Sequence, residues 1–301
     1  MDHAPSSRPV AGILWMLVTG LCFVAVTAIV KYMGPRVPPA EAAFLRYVLG
    51  LVFLLPMLRS LMAARLTPRL WALFGARGLC HAIGVILWFF AMTRIPLAEV
   101  TAMNYLSPVY VTLGAALFLG EKLAARRIAA IVVALIGAAI ILRPGFREVN
   151  DGHLAMLGTA IVFGGSYLLA KVLADEVSPP VVVGMLSIWV TLGLAPFALA
   201  EWVTPTIEDL GLLFAVACFA TAGHYTMTLA FRAAPVTMTQ PVTFLQLVWA
   251  TALGALAFAE PVDVWVVIGG LVILCSITFI TWREAVLKRR LITPPTPATK
   301  V

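Results

Sequence analysis

Uncharged apolar runs dominate the chain. Val10 to Val30, Val100 to Gly120, Val177 to Ala200, Leu210 to Phe231, Ala233 to Ala259 and Val264 to Trp282 are each long enough for a helix to cross a hydrocarbon core of about 30 Å. Shorter apolar windows lie around 40–58, 70–93, 126–143 and 153–173, each bounded by charge or proline. The pattern predicts ten membrane-spanning helices. At about 20 residues each they take about 200 positions, which leaves short connections and no soluble domain. The first run is too long for the apolar core of a signal peptide and no small-residue cleavage site follows it, so it is read as the first span.

Composition agrees: of 301 residues 62% are hydrophobic and 12% charged, and the mean hydropathy is +1.01. Soluble domains carry about 25% charged residues. Cys22, Cys80, Cys218 and Cys275 all fall inside apolar spans, where a thiol is a small apolar group; neither a disulfide framework nor a metal site is expected, and no cofactor.

The net charge of +7 is explained by placement rather than by nucleic acid. With the N-terminus on side one, 14 Lys and Arg residues fall on that side and 6 on the other, with Arg77 inside a span. Basic loops favour the cytoplasm, so both termini are expected there, in a multi-pass inner (plasma) membrane protein whose partners are the lipid bilayer and a small-molecule substrate. The chain is expected as a monomer or a homodimer. The closing "PPTPATKV" reads as a disordered tail.

The chain also repeats itself. Residues 91–123 lie without gaps over 230–262 at an offset of 139, so Pro96 matches Pro235, Thr112 matches Thr251 and Glu121 matches Glu260. Gly84 matches Gly223 at the same offset. Lys31 followed by Pro38 and Pro39 echoes Lys171 followed by Pro179 and Pro180. Five spans per half is an odd number, so the second half enters the membrane from the opposite side and the repeats are inverted. The expected fold class is therefore an all-α membrane protein of ten transmembrane helices in two inverted five-helix repeats. The expected divisions are residues 1–9 as a cytoplasmic tail, 10–147 and 148–284 as the two repeats, and 285–301 as a second tail.

With "FLR" at Phe44 to Arg46, "YLSPVYVTLGAALFLGEKL" after Pro96 and "ILRPG" closing the first half, the chain resembles the drug/metabolite transporter superfamily, in its ten-helix EamA-type branch. The resemblance covers about residues 10 to 284 and implies an inner-membrane carrier. It implies a central cavity lined by spans 1–4 and 6–9, with spans 5 and 10 packed outside. The second half departs from the motif, with Leu247 in place of Pro108 and Pro261 in place of Lys122.

Ionisable groups deep in a span are costly and face a cavity or a partner. In "GARGLCHAIGVILW", Arg77, His81, Gly84 and Trp88 recur at helical spacing and share one face. For Arg77, snorkelling to headgroups competes with a role in an anion-attracting wall. His81 and His224 fall on repeat-related spans and can exchange protons near neutral pH. Asn104 and Tyr105 precede Pro108, which removes a helical hydrogen bond to the Asn104 carbonyl; the matching span carries its own kink at Pro241, with Gln246 beyond it. Tyr167 and Tyr225 complete the candidate substrate contacts. Lys31, Arg46 and Lys171 read as helix-end or gating residues.

Glu41, Glu99, Glu121, Asp175, Glu201, Glu260 and Asp263 all fall at or near span ends, which argues against a dedicated cation site or a carboxylate proton relay. No HExxH, GxSxG or phosphate-loop motif is present, so neither catalysis nor ATP drive is expected. The expected function is secondary transport by alternating access, as export, of a small carboxylate-bearing or zwitterionic metabolite. Amino-acid-like compounds and opine-type metallophores head the candidates. Uptake of riboflavin or S-adenosylmethionine is the alternative, and a non-transporting assembly protein the rival from another class.

Overall fold

A computed structural model describes residues 9–118, 120, 124–174, 176–234 and 239–292. Helix starts and stops follow the local chemistry. Helix α1 (Pro9–Met33) ends where Gly34 takes a positive φ of 60° ahead of Pro35. Helix α2 (Pro39–Gly50) starts on a proline, whose missing N–H costs nothing in a first turn, and runs through a 3-10 stretch around Pro56 into α3 (Leu58–Ala63). Helix α4 (Pro68–Met92) is capped by the Thr67 hydroxyl, which accepts from the Leu70 N–H at 3.3 Å.

The fourth span is broken. Helix α5 (Leu97–Asn104) and helix α6 (Ser107–Phe118) are separate, joined by a tightened turn in which the Leu106 N–H donates to the Met103 carbonyl at 3.0 Å. Pro108 offers no N–H to Asn104, so the interruption falls where that proline predicts it. Helices α7 (Ala125–Leu142), α8 (Asp151–Ala174), α9 (Pro179–Ala200) and α10 (Ile207–Ala233) follow. Asn150 caps α8 through its side-chain oxygen, and Thr206 with Asp209 forms a reciprocal capping box on α10. Backbone around Pro241 forms a 3-10 turn before α11 (Phe244–Phe258); the side chains of Gln240 and Pro241, and residues 235–238, lie outside the described residues.

Helix α12 (Val264–Ile292) closes the described chain and continues past the expected tail boundary at 285. Basic residues at a helix C-terminus oppose its negative dipole end, which favours this extension. Eight of these helical stretches are long and apolar enough to cross a membrane by length and composition. The broken α5–α6 and the shorter α11 stand where the fourth and ninth spans are expected, and the protein is an all-α membrane protein of inverted-repeat design.

Packing follows that duplication. Helix α1 lies along α10, and the repeat-related pair, α8 along α4, packs equally closely. Helix α2 crosses α10 as α9 crosses α4, α11 lies on α1 as α6 lies on α8, and α7 and α12 pair with each other. The two halves are thus interlocked rather than side by side. Glycines permit the closest crossings. A Cβ on Gly137 would stand 2.8 Å from the Gly269 carbonyl oxygen, at the centre of the α7–α12 contact. Between α1 and α10 the Thr19 and Thr226 hydroxyls share a buried hydrogen bond of 2.9 Å. Exposed aliphatic side chains such as Leu14, Val132, Ile136 and Leu199 form the outer surface, as a lipid-facing exterior requires.

Candidate substrate pathway

The end of the bundle where α1 begins is here the near end, and the end where α1 finishes is the far end. Arg77 is nine residues into α4 from the near end, about 14 Å by helical rise. It is buried and donates to the Val182 carbonyl of α9 at 2.9 Å, tying the two halves together. One turn deeper, His81 is buried, and its Nδ1 shares a hydrogen bond of 3.2 Å with the Ser166 hydroxyl of α8. The His81 imidazole stacks on Phe163, centroids 4.8 Å apart and planes at 29°, and meets Tyr47 and Tyr167 edge-on at 6.4 Å each.

Gly84 makes this stack possible, because a Cβ there would collide with the Phe163 ring. The repeat-related glycine does the same on the other side. Gly223 admits Phe23 of α1, whose ring edge meets the His224 imidazole at 5.1 Å and 79°. Phe23 and Phe163 are themselves related by the offset of 140 that relates Lys31 to Lys171. Neither phenylalanine was singled out in the sequence, although that offset was there to find them.

Arg46 departs from its helix-end reading. It is 8% exposed, and its guanidinium carbon sits 4.4 Å from the centroid of Tyr47. Both His81 and His224 feel its charge together with that of Arg77. The Arg46 Cα is already seven residues into α2 from Pro39, about 10 Å by helical rise. Arg46, Arg77, His81 and His224 thus share one electrostatic neighbourhood, with Tyr47, Phe163 and Tyr167 supplying its aromatic part.

Other candidates divide. Tyr167 is 40% exposed and opens onto a cavity of about 220 Å³ that it shares with Pro108, Val111, Thr112, Ile277, Ile280 and Thr281. Three of those residues belong to α12, which lines this cavity beside the break at Pro108. Trp88 packs on Phe163 at 6.4 Å, and its Nε1 is buried without a hydrogen-bond partner, as are Asn104 Oδ1 and Ser107 Oγ. Tyr105 spends its hydroxyl on the Thr243 carbonyl at 2.7 Å, joining the two interrupted spans. Gln246 and Trp249 rest against Gly20 of α1. Lys171 stands exposed in the last turn of α8.

Tyr225 does not join the cluster. It is nine residues, two and a half turns, beyond the fully buried Val216, so it points the opposite way and is 65% exposed. Neighbouring residues on a helix diverge by about 100°, so Tyr225 and His224 face different directions.

The far end holds a second constellation, of which Lys31 alone was a candidate site residue in the sequence. Lys31 pairs with Glu260 and donates to the Ile95 carbonyl at 2.9 Å, while Glu260 Oε2 accepts from the Leu97 N–H at 2.9 Å. Glu99 takes two hydrogen bonds from Arg147, at 2.9 and 2.7 Å, and one from His153 Nε2 at 2.6 Å. Arg143 pairs with Asp263, which Arg147 also approaches at 3.7 Å. Glu41 accepts from the Val203 N–H at 2.9 Å. Most of these contacts join the two halves, while Lys31–Ile95 and Glu99–Arg147 lie within the first. The paired Glu99 carboxylate raises the Arg147 guanidinium above its ordinary value and keeps it charged.

Interlocked inverted repeats, a polar and aromatic cluster at mid-depth and an ion-paired end define a multi-pass membrane transporter. The EamA-like transporter family matches residues 10–143 and again 150–282, and the chain belongs to that family. A riboflavin transporter of Rhizobium johnstonii is 30% identical over 292 residues, 94% of this chain and 95% of that protein. The pseudopaline exporter CntI of Pseudomonas aeruginosa is 26% identical over 269 residues, 88% of this chain and 94% of that protein. A solved crystal structure shares the fold with a TM-score of 0.57 at 18% identity, covering 95% of this chain and 98% of the other.

Proposed function

We propose that the protein is a secondary carrier of the inner membrane, with both termini cytoplasmic. Its substrate is a small organic metabolite that joins a planar ring to acceptor-rich or anionic groups. The observation that carries this reading is the stacking of His81 on Phe163, with the charges of the buried Arg46 and Arg77 acting on the same imidazole. Aromatic faces favour offset stacking with a flat ring, and guanidiniums favour carboxylate, phosphate or carbonyl oxygens. A ring system such as that of riboflavin meets both requirements, and the 30% identical relative is named for that compound.

Export of an amino-acid-like or opine-type carboxylate is the second reading, favoured by the two buried arginines and by the name of the pseudopaline relative. S-adenosylmethionine fits less well, because its sulfonium charge would meet cations. Proteoliposomes loaded with labelled riboflavin, or containing it outside, test the first reading and report direction. Saturable flux that unlabelled riboflavin suppresses supports it. Flux of labelled carboxylate metabolites in the same vesicles, with none of riboflavin, moves the assignment to the second. No carrier-dependent flux of any labelled solute under imposed gradients returns the chain to a structural or assembly role.

A further inference from the structure

Helix α12 is clamped in its far half. A Cβ on Gly270 would stand 2.6 Å from Leu247 of α11 and 3.3 Å from Ala102 of α5, the part of the fourth span before the break. Ten residues further along, about 15 Å by helical rise, Ile280 instead faces the cavity of about 220 Å³ that α12 shares with α6 and with Tyr167 of α8. Helices α6 and α8 touch each other closely on either side of Tyr167. A Cβ on Gly164 would stand 2.7 Å from Tyr110, and one on Gly114 3.0 Å from Leu168. The cavity is therefore not a loose seam between α6 and α8 but a space on their α12 side.

Its wall is apolar although two threonines belong to it. Thr112 donates its hydroxyl to the Pro108 carbonyl at 3.0 Å and Thr281 donates to the Ile277 carbonyl at 2.9 Å, so both are spent on their own helices. Val111 and Ile280 add aliphatic surface, and no charged side chain lines the space among the described residues. Tyr167 is the aromatic wall and also belongs to the cluster, 5.9 Å from Phe163 and 6.4 Å from His81. A single ring thus joins an apolar space to a neighbourhood that carries the charges of Arg46 and Arg77. An apolar cavity of about 150 Å³ suffices for benzene, and pockets for drug-sized ligands begin near roughly 300 Å³. The space here, at about 220 Å³, suits one ring with small substituents rather than a fused system. We propose that it is a subsite for a single apolar aromatic ring at one end of the substrate, whose acceptor-rich or anionic end lies toward Arg46 and Arg77. The methyl-bearing benzene edge of a riboflavin-like ring system has this chemistry. The ligand class rests on the ring-bearing substrate reading above; what is added is the orientation of that substrate and the residues that select its apolar end.

Labelled 3,4-dimethylbenzyl alcohol, which carries such a ring without the rest of a substrate, tests the subsite apart from transport. Its binding to the protein in lipid nanodiscs, measured above that of empty nanodiscs, is expected to saturate at one site. Val111→Phe fills the cavity and is expected to weaken that binding roughly tenfold or more. Val111→Met fills it less and keeps the test open if the phenylalanine variant does not fold. Leu117→Phe places a ring on the same helix at a position 77% exposed and outside the cavity, and is expected to leave binding unchanged. In proteoliposomes Val111→Phe is expected to raise the half-saturation concentration for riboflavin. Probe binding that the Val111 variants weaken, in a protein that carries no riboflavin, supports the subsite and overturns only riboflavin as its ligand. No saturable binding above empty nanodiscs, the result expected if a lipid acyl chain holds the space, overturns the proposal, as does binding that survives both Val111 variants; riboflavin flux in the same preparation would then leave the substrate reading standing.

Discussion

Phe163 lies flat over His81, with 4.8 Å between centroids and 29° between planes, because Gly84 leaves no side chain between α4 and α8. Adding a methyl group there has no free direction to go, since the ring it meets is buried and held between Trp88 and Tyr167. Gly84→Ala is expected to lower stability by about 1–3 kcal/mol, the usual cost of overpacking, and to reduce transport by displacing the ring from the imidazole. Gly223→Ala should be milder, because its added Cβ would meet Cys22 and Phe23 atoms at 3.2 and 3.3 Å, distances that small shifts relieve. Melting temperatures of the purified variants in detergent give the ranking. Equal effects at the two glycines would contradict the argument.

Arg46 carries a charge into the cluster while leaving its Nε without a partner, and Arg77 does the same while anchored to Val182. Charge-assisted hydrogen bonds contribute about 1.5–3 kcal/mol, so replacing Arg46 with glutamine is expected to raise the half-saturation concentration for an anionic substrate by roughly tenfold or more. An otherwise identical analogue without its anionic group should show little change. Parallel flux measurements on the two compounds separate loss of a specific contact from general damage, which would weaken both alike.

The spans, the duplication and the broken fourth helix were legible in the sequence because each has a short-range cause: apolar length, repeat offset, and a proline without an N–H. His81, Arg77 and Trp88 were legible for the same reason, since one helical face is set by spacing alone. Arg46 was not, because its guanidinium lies several bonds from its Cα and its depth depends on which way the chain is packed. His153, Glu99 and Arg147 escaped notice because their meeting depends on three separate connections arriving at one end of the bundle. Sequence distance between them conceals this. Tyr225 was a candidate as a polar aromatic of the eighth span, and the direction it faces depends on how that helix is turned in the bundle.

The Glu99 carboxylate is 4% exposed in its side chain and accepts from both Arg147 and His153. Glu99→Gln keeps the shape but removes the charge that holds Arg147. Stability should fall by about 1.5–3 kcal/mol, the range for hydrogen bonds to charged groups. His153→Phe should cost less, because Arg147 still pairs with Glu99 in two places. A double-mutant cycle over Glu99 and Arg147, read by thermal or denaturant unfolding in detergent, should return a coupling well above the roughly 0–1 kcal/mol of exposed ion pairs. The exposed Arg69–Glu176 pair, with side chains 63% and 35% accessible, is the internal comparison and should show almost none.

Tyr167 and Tyr225 offer the sharpest contrast between a pathway residue and a surface one. Both are exposed tyrosines on long helices, at 40% and 65%. Tyr167 neighbours His81 at 6.4 Å and Phe163 at 5.9 Å and faces the cavity behind Pro108, so its ring is surrounded by groups of the cluster. Tyr225 points half a turn away from the buried Val216 face of α10. Removing a ring that touches substrate forfeits its stacking contribution, about 0.5–1.5 kcal/mol beyond area burial, or a severalfold rise in half-saturation concentration. Tyr167→Ala is therefore expected to weaken transport at limiting substrate while Tyr225→Ala leaves it near the level of the parent protein. If Tyr225→Ala proved the more damaging at matched protein levels in the membrane, the inward face of α10 would have to be reassigned, and His224 with it.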